Sequence, residues 1–252
     1  MRSAPIGVFD SGMGGLSVLR ALRAAMPHER LIYYGDNENA PYGTRTPQEI
    51  CALSLQAAQL LMQKGVKALV VACNTATSAA EATLRARLNV PVVGIEPDFI
   101  AAREAAGEKK IVVFATRATL SLPRYREARL RLCPEAISIS APELVLMVER
   151  GVVAGPEPEA FFREKLAPWR DEIGAIVLGC THFAFLRAPL HAVAPGVPLI
   201  DSIDRLTRSL RNVLTDINAL AEDGAGGVEL YSSARDPAVL ARMHELLGEN
   251  FP

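Results

Sequence analysis

The sequence has the length and composition of a soluble globular protein. It contains 252 residues, of which 50% are hydrophobic and 22% are charged, and this balance excludes an intrinsically disordered chain. The formal net charge of −1 gives no electrostatic basis for binding nucleic acid or a membrane surface. No apolar stretch is long enough to span a bilayer, and the N-terminus "MRSAPIGVFDSG" has no signal-peptide pattern. We therefore expect a cytoplasmic protein with one large domain or two small ones.

Short apolar, β-branched runs alternate with amphipathic helical patterns along almost the whole chain. The runs predict strands over residues 6–9, 31–34, 68–72, 92–95, 110–115, 136–140, 175–179, 197–200 and 228–232. A period of 3.6 residues predicts helices over, for instance, 47–64, 75–88, 121–132, 158–172, 203–222 and 237–247. This alternation predicts an α/β fold of mostly parallel sheets with helices on both faces.

A weak internal repeat divides the chain into two halves. "IGVFDSG" at 6–12 resembles "IVVFATR" at 111–117, and "ALVVACNT" at 68–75 resembles "AIVLGCTH" at 175–182. The two phenylalanines are 105 residues apart and the two cysteines are 107 residues apart, so both pairs share nearly one offset. We predict two similar lobes with an active site in the cleft between them, one lobe from residues 1–95 plus 206–252 and the other from 96–205.

Polar and reactive residues follow several of the predicted strands. Asp10, Cys73, Thr116 and Cys180 stand at strand ends, where α/β sheets bind ligands. Each of the two cysteines also precedes a predicted helix, whose N-terminus is expected to stabilise a thiolate and to lower the thiol pKa. Three polar neighbours of the cysteines can cap these helices or hold a ligand carboxylate, and they are Asn74, Thr75 and Thr181. His182 can exchange a proton with Cys180 or with a substrate.

The other two cysteines, Cys51 and Cys133, fit the pattern of small buried hydrophobic residues. All four cysteines lie far apart, without the C-x-x-C spacing of zinc sites and thioredoxin-like redox pairs. A metal site is therefore not expected.

The stretch "FDSGMGGLS" at 9–17 predicts a strand, a glycine turn and the start of a helix. A dinucleotide fingerprint requires a third glycine where Ser17 stands, and the charge of Asp10 would repel a pyrophosphate. We favour the alternative that the glycines let the backbone bend while Asp10 and Ser11 point into the cleft.

Two thiols in matching positions, without a metal, a Schiff-base lysine or a nucleotide, suit the inversion of an acidic C–H centre. One thiolate removes a proton from one face while the other thiol delivers a proton to the opposite face. Two other classes of protein remain open at this point. A two-lobed binding protein would hold an acidic ligand without chemistry, and a flavodoxin-like redox protein would carry a coloured cofactor.

The order and spacing of seven motifs resemble the glutamate racemases, which are cofactor-independent amino-acid racemases of bacterial cell-wall synthesis. The likeness covers essentially the whole chain and rests on "GVFDSGMGGLSVL" (7–19), "YYGDNENAPYGTR" (33–45), "ACNTATSAA" (72–80), "GIEP" (94–97), "ATRATLS" (115–121), "LGCTHF" (178–183) and "IDS" (200–202). The resemblance implies an isomerase that needs no cofactor and converts L-glutamate to D-glutamate for peptidoglycan synthesis. It is also compatible with a homodimer.

The resemblance also implies roles for individual residues. Cys73 and Cys180 are the two proton donor/acceptors, Asp10 assists Cys73 and His182 assists Cys180. The residues implied to line the substrate are Asp10, Ser11, Pro41, Tyr42, Gly43, Asn74, Thr75, Thr116, Thr119, Thr181 and His182. Asp36 and Glu149 match further acidic residues of the family's site.

Three stretches depart from the usual family pattern. "GDNENAPYG" is more polar than usual, Ala118 stands where glycine is usual, and Phe183-Ala184 stands where Tyr-Pro is common. None of these changes removes a catalytic group. They leave room for a different side-chain specificity, so the alternative is a racemase or isomerase of the same superfamily that acts on aspartate or another small diacid.

Overall fold

Two parallel sheets form the centre of the molecule. The computed structural model describes residues 2–248, and within them the sheets have the strand orders β4-β3-β1-β2-β9 and β6-β5-β7-β8. In chain order the strands are β1 (Ile6–Asp10), β2 (Arg30–Gly35), β3 (Ala68–Val71), β4 (Val92–Gly94), β5 (Lys110–Ala115), β6 (Ile137–Ser140), β7 (Ile173–Gly179), β8 (Leu199–Ile200) and β9 (Gly227–Ser232). All adjacent pairs are parallel. The predicted strands and the two-lobed α/β class are confirmed.

Helices cover both faces of each sheet. They are α1 (Leu16–Ala25), α2 (Pro47–Gln63), α3 (Asn74–Arg87), α4 (Phe99–Ala106), α5 (Arg117–Ser121), α6 (Pro123–Leu132), α7 (Pro142–Glu149), α8 (Pro156–Leu166), α9 (Arg187–Val193), α10 (Ile203–Asp216) and α11 (Pro237–Leu247).

Two predicted helices were too long. The one predicted over 158–172 ends early because Pro168 cannot donate a helical hydrogen bond. The one predicted over 203–222 ends at Asp216, just before Asn218 adopts a left-handed φ of 54°.

The two sheets repeat one topology, as the internal sequence repeat predicts. In each sheet the first strand (β1 or β5) lies between the second strand (β2 or β6) and a cysteine strand (β3 or β7), with a fourth strand beyond it. The register is also the same. Phe9 pairs with Val71 and Phe114 pairs with Leu178, so each phenylalanine lies opposite the residue two positions before a cysteine. The first sheet differs only by its additional strand β9.

Each sheet separates two hydrophobic cores. In the first lobe α1, α10 and α11 pack on one face of the sheet and α2 and α3 on the other. In the second lobe α7, α8 and α9 pack on one face and α4 and α6 on the other. Coverage of both faces explains why "ALVV" and "AIVL" are continuously apolar. None of the helices between residues 2 and 248 has the length and apolar character needed to cross a membrane.

The division of the chain into residues 1–95 plus 206–252 and residues 96–205 stays a prediction. Residues 1 and 249–252 of that division lie outside the described residues. Helix α10 begins before the second boundary, and its buried residues Leu206, Leu210 and Leu214 pack in a core of the first sheet.

A buried ion pair fastens four segments at the amino ends of the first sheet. Lys67 Nζ lies 2.6 Å from Glu29 Oε2, and both side chains are almost completely buried. The same ammonium donates hydrogen bonds of 2.7 Å to the carbonyls of Arg2 and Ala219. The second oxygen of Glu29 accepts a hydrogen bond from the backbone N–H of Ala221. This pair therefore connects the starts of β2 and β3 to the N-terminus and to the segment after α10.

Lys67→Met should lower the free energy of unfolding by about 3–5 kcal/mol, because it leaves the Glu29 carboxylate buried without its counter-charge. Urea unfolding followed by circular dichroism measures this loss. Lys109→Met is the matched control, since Lys109 is exposed and a surface change of this kind stays within about 0.5 kcal/mol. A loss below about 1 kcal/mol for Lys67→Met would contradict the expected role of the pair.

Candidate active site

The carboxyl ends of four strands bring the predicted site residues into one cleft between the lobes. Asp10 ends β1, and Cys73 follows β3 at the start of α3. In the second lobe Thr116 follows β5 and Cys180 follows β7. Both sulphur atoms are buried, since Cys73 is 5% and Cys180 is 8% exposed. The equivalent positions of the two thiols in the two sheets follow directly from the repeated register.

Hydroxyl groups connect the two lobes across this cleft. Thr75 Oγ1 of the first lobe lies 2.9 Å from Thr116 Oγ1 and 3.1 Å from Thr119 Oγ1 of the second. Thr116 and Thr119 are themselves 2.9 Å apart, so the three buried hydroxyls form a ring. Thr181 Oγ1 donates a 3.3 Å hydrogen bond to Asp10 Oδ1. Polar groups of both lobes thus satisfy each other when the cleft is closed.

Burial dominates the surroundings of Cys73. Its sulphur lies 3.4 Å from Ser11 Oγ and accepts a hydrogen bond from the Ala76 backbone N–H at the start of α3. Desolvation, followed by the negative charge of Asp10, raises the pKa of the Cys73 thiol to about 12, although Ser11 and Ala76 act in the opposite direction. The predicted lowering of this pKa is therefore wrong, because the helix N-terminus is weaker than the loss of water.

Asn74, Thr75 and Thr181 do not cap the two helices, which leaves the other predicted role, the binding of a ligand carboxylate, as a prediction. Cys73 itself occupies the N-cap of α3, while the Thr75 hydroxyl is used in the threonine ring. Thr181 begins a 3₁₀ helix (Thr181–Leu186) instead of an α-helix, and its hydroxyl donates to Asp10. The side chain of Asn74 is buried, and neither its Nδ2 nor its Oδ1 has a hydrogen-bond partner among the described residues. Asn74 thus retains unused donors and acceptors inside the cleft.

Cys180 has an acid–base partner of its own. His182 Nδ1 lies 3.6 Å from Cys180 Sγ, and His182 Nε2 lies 2.6 Å from Glu149 Oε1. Burial opposes a charged imidazole, but hydrogen bonds and charges of Cys180 and Glu149 outweigh it and raise the pKa of His182 well above its usual value. Burial likewise acts against the Glu149 carboxylate, yet His182 and the Met13 N–H lower its pKa. The arrangement is a Glu149–His182–Cys180 relay that favours an imidazolium next to the sulphur.

Asp10 influences Cys73 through its charge. Its Oδ2 accepts a 3.0 Å hydrogen bond from the Gly12 N–H. Complete burial raises the pKa of the Asp10 carboxyl, against the stabilising effects of His182 and of the Gly12 and Gly15 backbone N–H groups. The negative charge of this carboxylate disfavours a thiolate at Cys73 and adds to the effect of burial on the Cys73 pKa.

The glycine turn after β1 makes room for side chains of the second lobe. A Cβ atom at Gly12 would lie 2.5 Å from Glu149 Oε1, and one at Gly14 would lie 2.4 Å from His182 Nδ1. Gly15 has a φ of −64°, which any residue adopts, but a Cβ there would lie 2.6 Å from Asp10 Cβ. Close approach, and not the predicted bending of the backbone, is what requires glycine at these positions.

The remaining predicted residues surround the cleft. Tyr42 donates a 2.6 Å hydrogen bond to Asp36 Oδ2, so Asp36 supports the loop that carries Tyr42. Pro41 follows a cis peptide bond in this loop. Gly43 packs against Thr116 of the second lobe, since a Cβ at Gly43 would lie 3.0 Å from Thr116 Cβ.

Sequence reasoning missed three residues that support the site. Met13 donates its backbone N–H to Glu149 Oε1 at 3.0 Å, and Ser17 donates its hydroxyl to the Thr181 carbonyl at 3.2 Å. Tyr33 donates its phenolic hydroxyl to the Gly12 carbonyl at 2.7 Å. A backbone donor and a core-facing strand tyrosine carry no pattern that would single them out in the sequence. Ser17 was noticed only as the residue that breaks the dinucleotide fingerprint.

Asp10→Asn should lower the pKa of the Cys73 thiol, because it removes the charge that is second only to burial in raising it. More thiolate at a given pH means faster alkylation. Iodoacetamide should therefore modify Cys73 several-fold faster at pH 8 in the variant, as measured by mass spectrometry of the Cys73 peptide over time.

Two other cysteines and one other aspartate serve as controls for this measurement. Cys51 is partly exposed and should react equally in both proteins, while the fully buried Cys133 should stay protected as long as the fold is intact. Asp171→Asn removes an exposed charge and should leave Cys73 unchanged. An unchanged or slower reaction of Cys73 in Asp10→Asn would contradict the electrostatic role of Asp10.

Comparison with known sequences identifies many similar proteins. Residues 16–210 match the family model described as Asp/Glu/Hydantoin racemase. A relative named glutamate racemase, from Clostridium perfringens strain SM101, is 42% identical, and the alignment covers 98% of this chain and 97% of that protein.

Solved structures show the same likeness. The crystal structure of glutamate racemase from Thermus thermophilus in complex with beta-chloro-D-alanine is 37% identical, has a TM-score of 0.84, and covers 100% of this chain and 95% of that one. The crystal structure of glutamate racemase from Francisella tularensis in complex with D-glutamate is 28% identical, also with a TM-score of 0.84, and covers 100% and 96%. The resemblance found in the motifs is thereby confirmed, and the chain belongs to the Asp/Glu/hydantoin racemase family.

Proposed function

We propose that this protein is an isomerase that interconverts L- and D-glutamate without a cofactor, using Cys73 and Cys180 from opposite sides of the α-carbon. The relatives named glutamate racemase support the substrate. The observation that carries the mechanism is the pair of buried thiols at equivalent strand ends, each with a different acid–base neighbour. In a bacterial cell the product D-glutamate supplies peptidoglycan synthesis.

The polar groups of the cleft match the charges of glutamate. Its two carboxylates need several hydrogen-bond donors, and the cleft offers the Asn74 amide, the threonine hydroxyls and the N-terminus of α3. The ammonium group needs a carboxylate, and Asp10 is the acidic residue whose charge acts most strongly on the Cys73 thiol. Asp36 is already bound by Tyr42, so we assign it a supporting role.

The environments of the thiols suit opposite starting states. Cys73, with its raised pKa, begins as a thiol that can deliver a proton. An imidazolium 3.6 Å from Cys180 stabilises a negative sulphur, which can take the α-proton from L-glutamate. The C–H electron pair then remains on the α-carbon as a carbanion-like intermediate. Cys73 protonates it from the other face, leaving Cys180 as thiol and Cys73 as thiolate, and the reverse path converts D-glutamate.

Three residues that depart from the family pattern pack in or against the hydrophobic cores. Phe183 is completely buried in a core of the second lobe, and Ala184 packs against a core of the first. Ala118 packs in the core around α2 and α3. The relatives named glutamate racemase favour glutamate over aspartate as the substrate. A circular-dichroism assay with both enantiomers of each amino acid and no added cofactor distinguishes the two substrates.

Cys73→Ala and Cys180→Ala should each reduce kcat/KM for glutamate racemisation by about 10²–10⁴-fold, because each removes the group that exchanges the α-proton on one face of the substrate. Circular dichroism of L- and D-glutamate measures the reaction in both directions. Ser at either position should not restore full activity, since a hydroxyl is far less acidic than a thiol.

Cys51→Ala and Cys133→Ala are the matched controls, because neither sulphur lies in the cleft. Both should retain most of the activity. Substantial racemisation by Cys73→Ala or Cys180→Ala would rule out the two-thiol mechanism, whereas absence of racemisation in the unmodified protein would rule out the proposed function itself.

In D₂O, a short incubation with L-glutamate should produce D-glutamate that carries deuterium at the α-carbon. The recovered L-glutamate should remain mostly protiated, since the thiol that donates has exchanged with solvent and is not the one that abstracts. Mass spectrometry after separation of the enantiomers measures both labels. Transfer of the original hydrogen into most of the product would mean that one base serves both faces.

A further inference from the structure

We propose that Tyr33 is a positioning residue, which fixes the Gly12–Met13 peptide and through it holds the Glu149–His182 pair next to Cys180. This inference rests on the proposed function, because it assigns Tyr33 to the Cys180 half of that reaction. Tyr33 lies in the middle of β2 and is completely buried, and nothing in its sequence context distinguishes it from Tyr34.

The contact begins with the phenolic hydroxyl of Tyr33. It donates a 2.7 Å hydrogen bond to the Gly12 carbonyl, in the glycine turn that follows β1. Gly35 packs against the same carbonyl from another side. A Cβ atom at Gly35 would lie 2.6 Å from Gly12 O, so the oxygen has little room to move in that direction. The Gly12 carbonyl is therefore held in one direction by a donor from β2 and by the backbone of β2.

The peptide bond transmits this orientation. In a planar trans peptide the carbonyl and the N–H of the next residue point in opposite directions, so fixing one fixes the other. The N–H at the far side of this peptide belongs to Met13, and it donates a 3.0 Å hydrogen bond to Glu149 Oε1. Tyr33 thus determines where a first-lobe donor meets a second-lobe carboxylate. A hydrogen bond to the carbonyl also polarises the peptide and strengthens the N–H as a donor.

The same oxygen of Glu149 serves His182. Glu149 Oε1 accepts from Met13 N and lies 2.6 Å from His182 Nε2, and His182 Nδ1 faces Cys180 Sγ. A carboxylate held by two donors keeps one orientation, and the imidazole that it holds keeps its distance to the sulphur. Without the Met13 hydrogen bond, the Glu149 carboxylate can move together with the His182 ring and no longer holds the ring in one position. Proton transfer depends steeply on such geometry, so the Cys180 step is the one that should suffer.

Tyr33→Phe tests the inference, because it removes one hydroxyl and keeps the ring in the core. We expect a decrease of about tenfold in kcat/KM for glutamate, less than the roughly 10²–10⁴-fold that an acid–base group itself contributes, because Tyr33 acts through Glu149 and His182. Tyr34→Phe is the matched control. Tyr34 is on the same strand, packs on the opposite face of the sheet, and its hydroxyl interacts with Ser233 instead of the glycine turn. It should have nearly unchanged activity.

Primary isotope effects show which thiol is affected. The equilibrium constant of a racemisation is one, so kcat/KM changes equally in both directions and cannot distinguish the halves. In Tyr33→Phe the Cys180 step becomes more rate-limiting. The isotope effect on kcat/KM should therefore increase for α-deuterated L-glutamate, from which Cys180 takes the deuteron, and decrease towards one for α-deuterated D-glutamate. A general loosening of the fold would change both in the same direction.

A double-mutant cycle tests the path through Glu149. If Tyr33 acts through this carboxylate, Tyr33→Phe should change kcat/KM by less than about twofold in a Glu149→Gln background, instead of about tenfold. Gly35→Ala gives an independent test if Tyr33→Phe folds poorly, because its methyl group displaces the same Gly12 carbonyl. It should produce the same opposite changes in the two isotope effects.

The outcomes separate this inference from the proposed function. Glutamate racemisation by the unmodified protein is required for both. If the unmodified protein is active but Tyr33→Phe behaves like Tyr34→Phe, the inference is wrong and the proposed function stands. Parallel changes in the two isotope effects, or an undiminished effect in the Glu149→Gln background, would also overturn it, because Tyr33 would then only stabilise the fold.

Discussion

The close contact between the glycine turn of the first lobe and the Glu149–His182 pair of the second is the constraint on which the site depends. Side-chain atoms of this pair occupy the space that Cβ atoms at Gly12 and Gly14 would fill. The turn therefore has to be glycine-rich for a steric reason, although its sequence resembles part of a phosphate-binding loop. Two backbone N–H groups of the turn, those of Gly12 and Met13, donate hydrogen bonds to the carboxylates of Asp10 and Glu149.

The repeated fold gives the two thiols equivalent positions but not equivalent chemistry. Both follow a central strand in the same register, and both are buried. Their neighbours differ in charge, since Asp10 acts on Cys73 and His182 on Cys180. The symmetric scaffold therefore places two equivalent thiols beside groups of opposite charge. In the proposed stereoinversion one thiol accepts a proton while the other donates one, so the two start each turnover in opposite protonation states.

Most of the fold, and the meeting of the candidate site residues at the carboxyl ends of the strands, could be predicted from the sequence. Buried parallel strands have a local signature in continuous apolar runs such as "ALVV" and "AIVL". The sequence repeat around Cys73 and Cys180 indicated that the two sheets share one topology. The direction of the Cys73 pKa shift could not be predicted, because it depends on how completely water is excluded by residues distant in the chain. The hydrogen bond of the Tyr33 hydroxyl could not be predicted either, because its acceptor, the Gly12 carbonyl, comes within reach only when β1 and β2 pair.

The closed cleft has to open for glutamate to reach two buried sulphur atoms. Opening separates Thr75 from Thr116 and Thr119, Thr181 from Asp10, and Met13 from Glu149. Water replaces these hydrogen bonds in the open state, so the net cost of each is small. The Asn74 side chain is different, because in the closed structure its buried amide has no partner among residues 2–248. Under the proposed function, a substrate carboxylate that accepts a hydrogen bond from this amide satisfies a buried donor and removes its desolvation penalty. Closure is therefore more favourable with glutamate bound than without it.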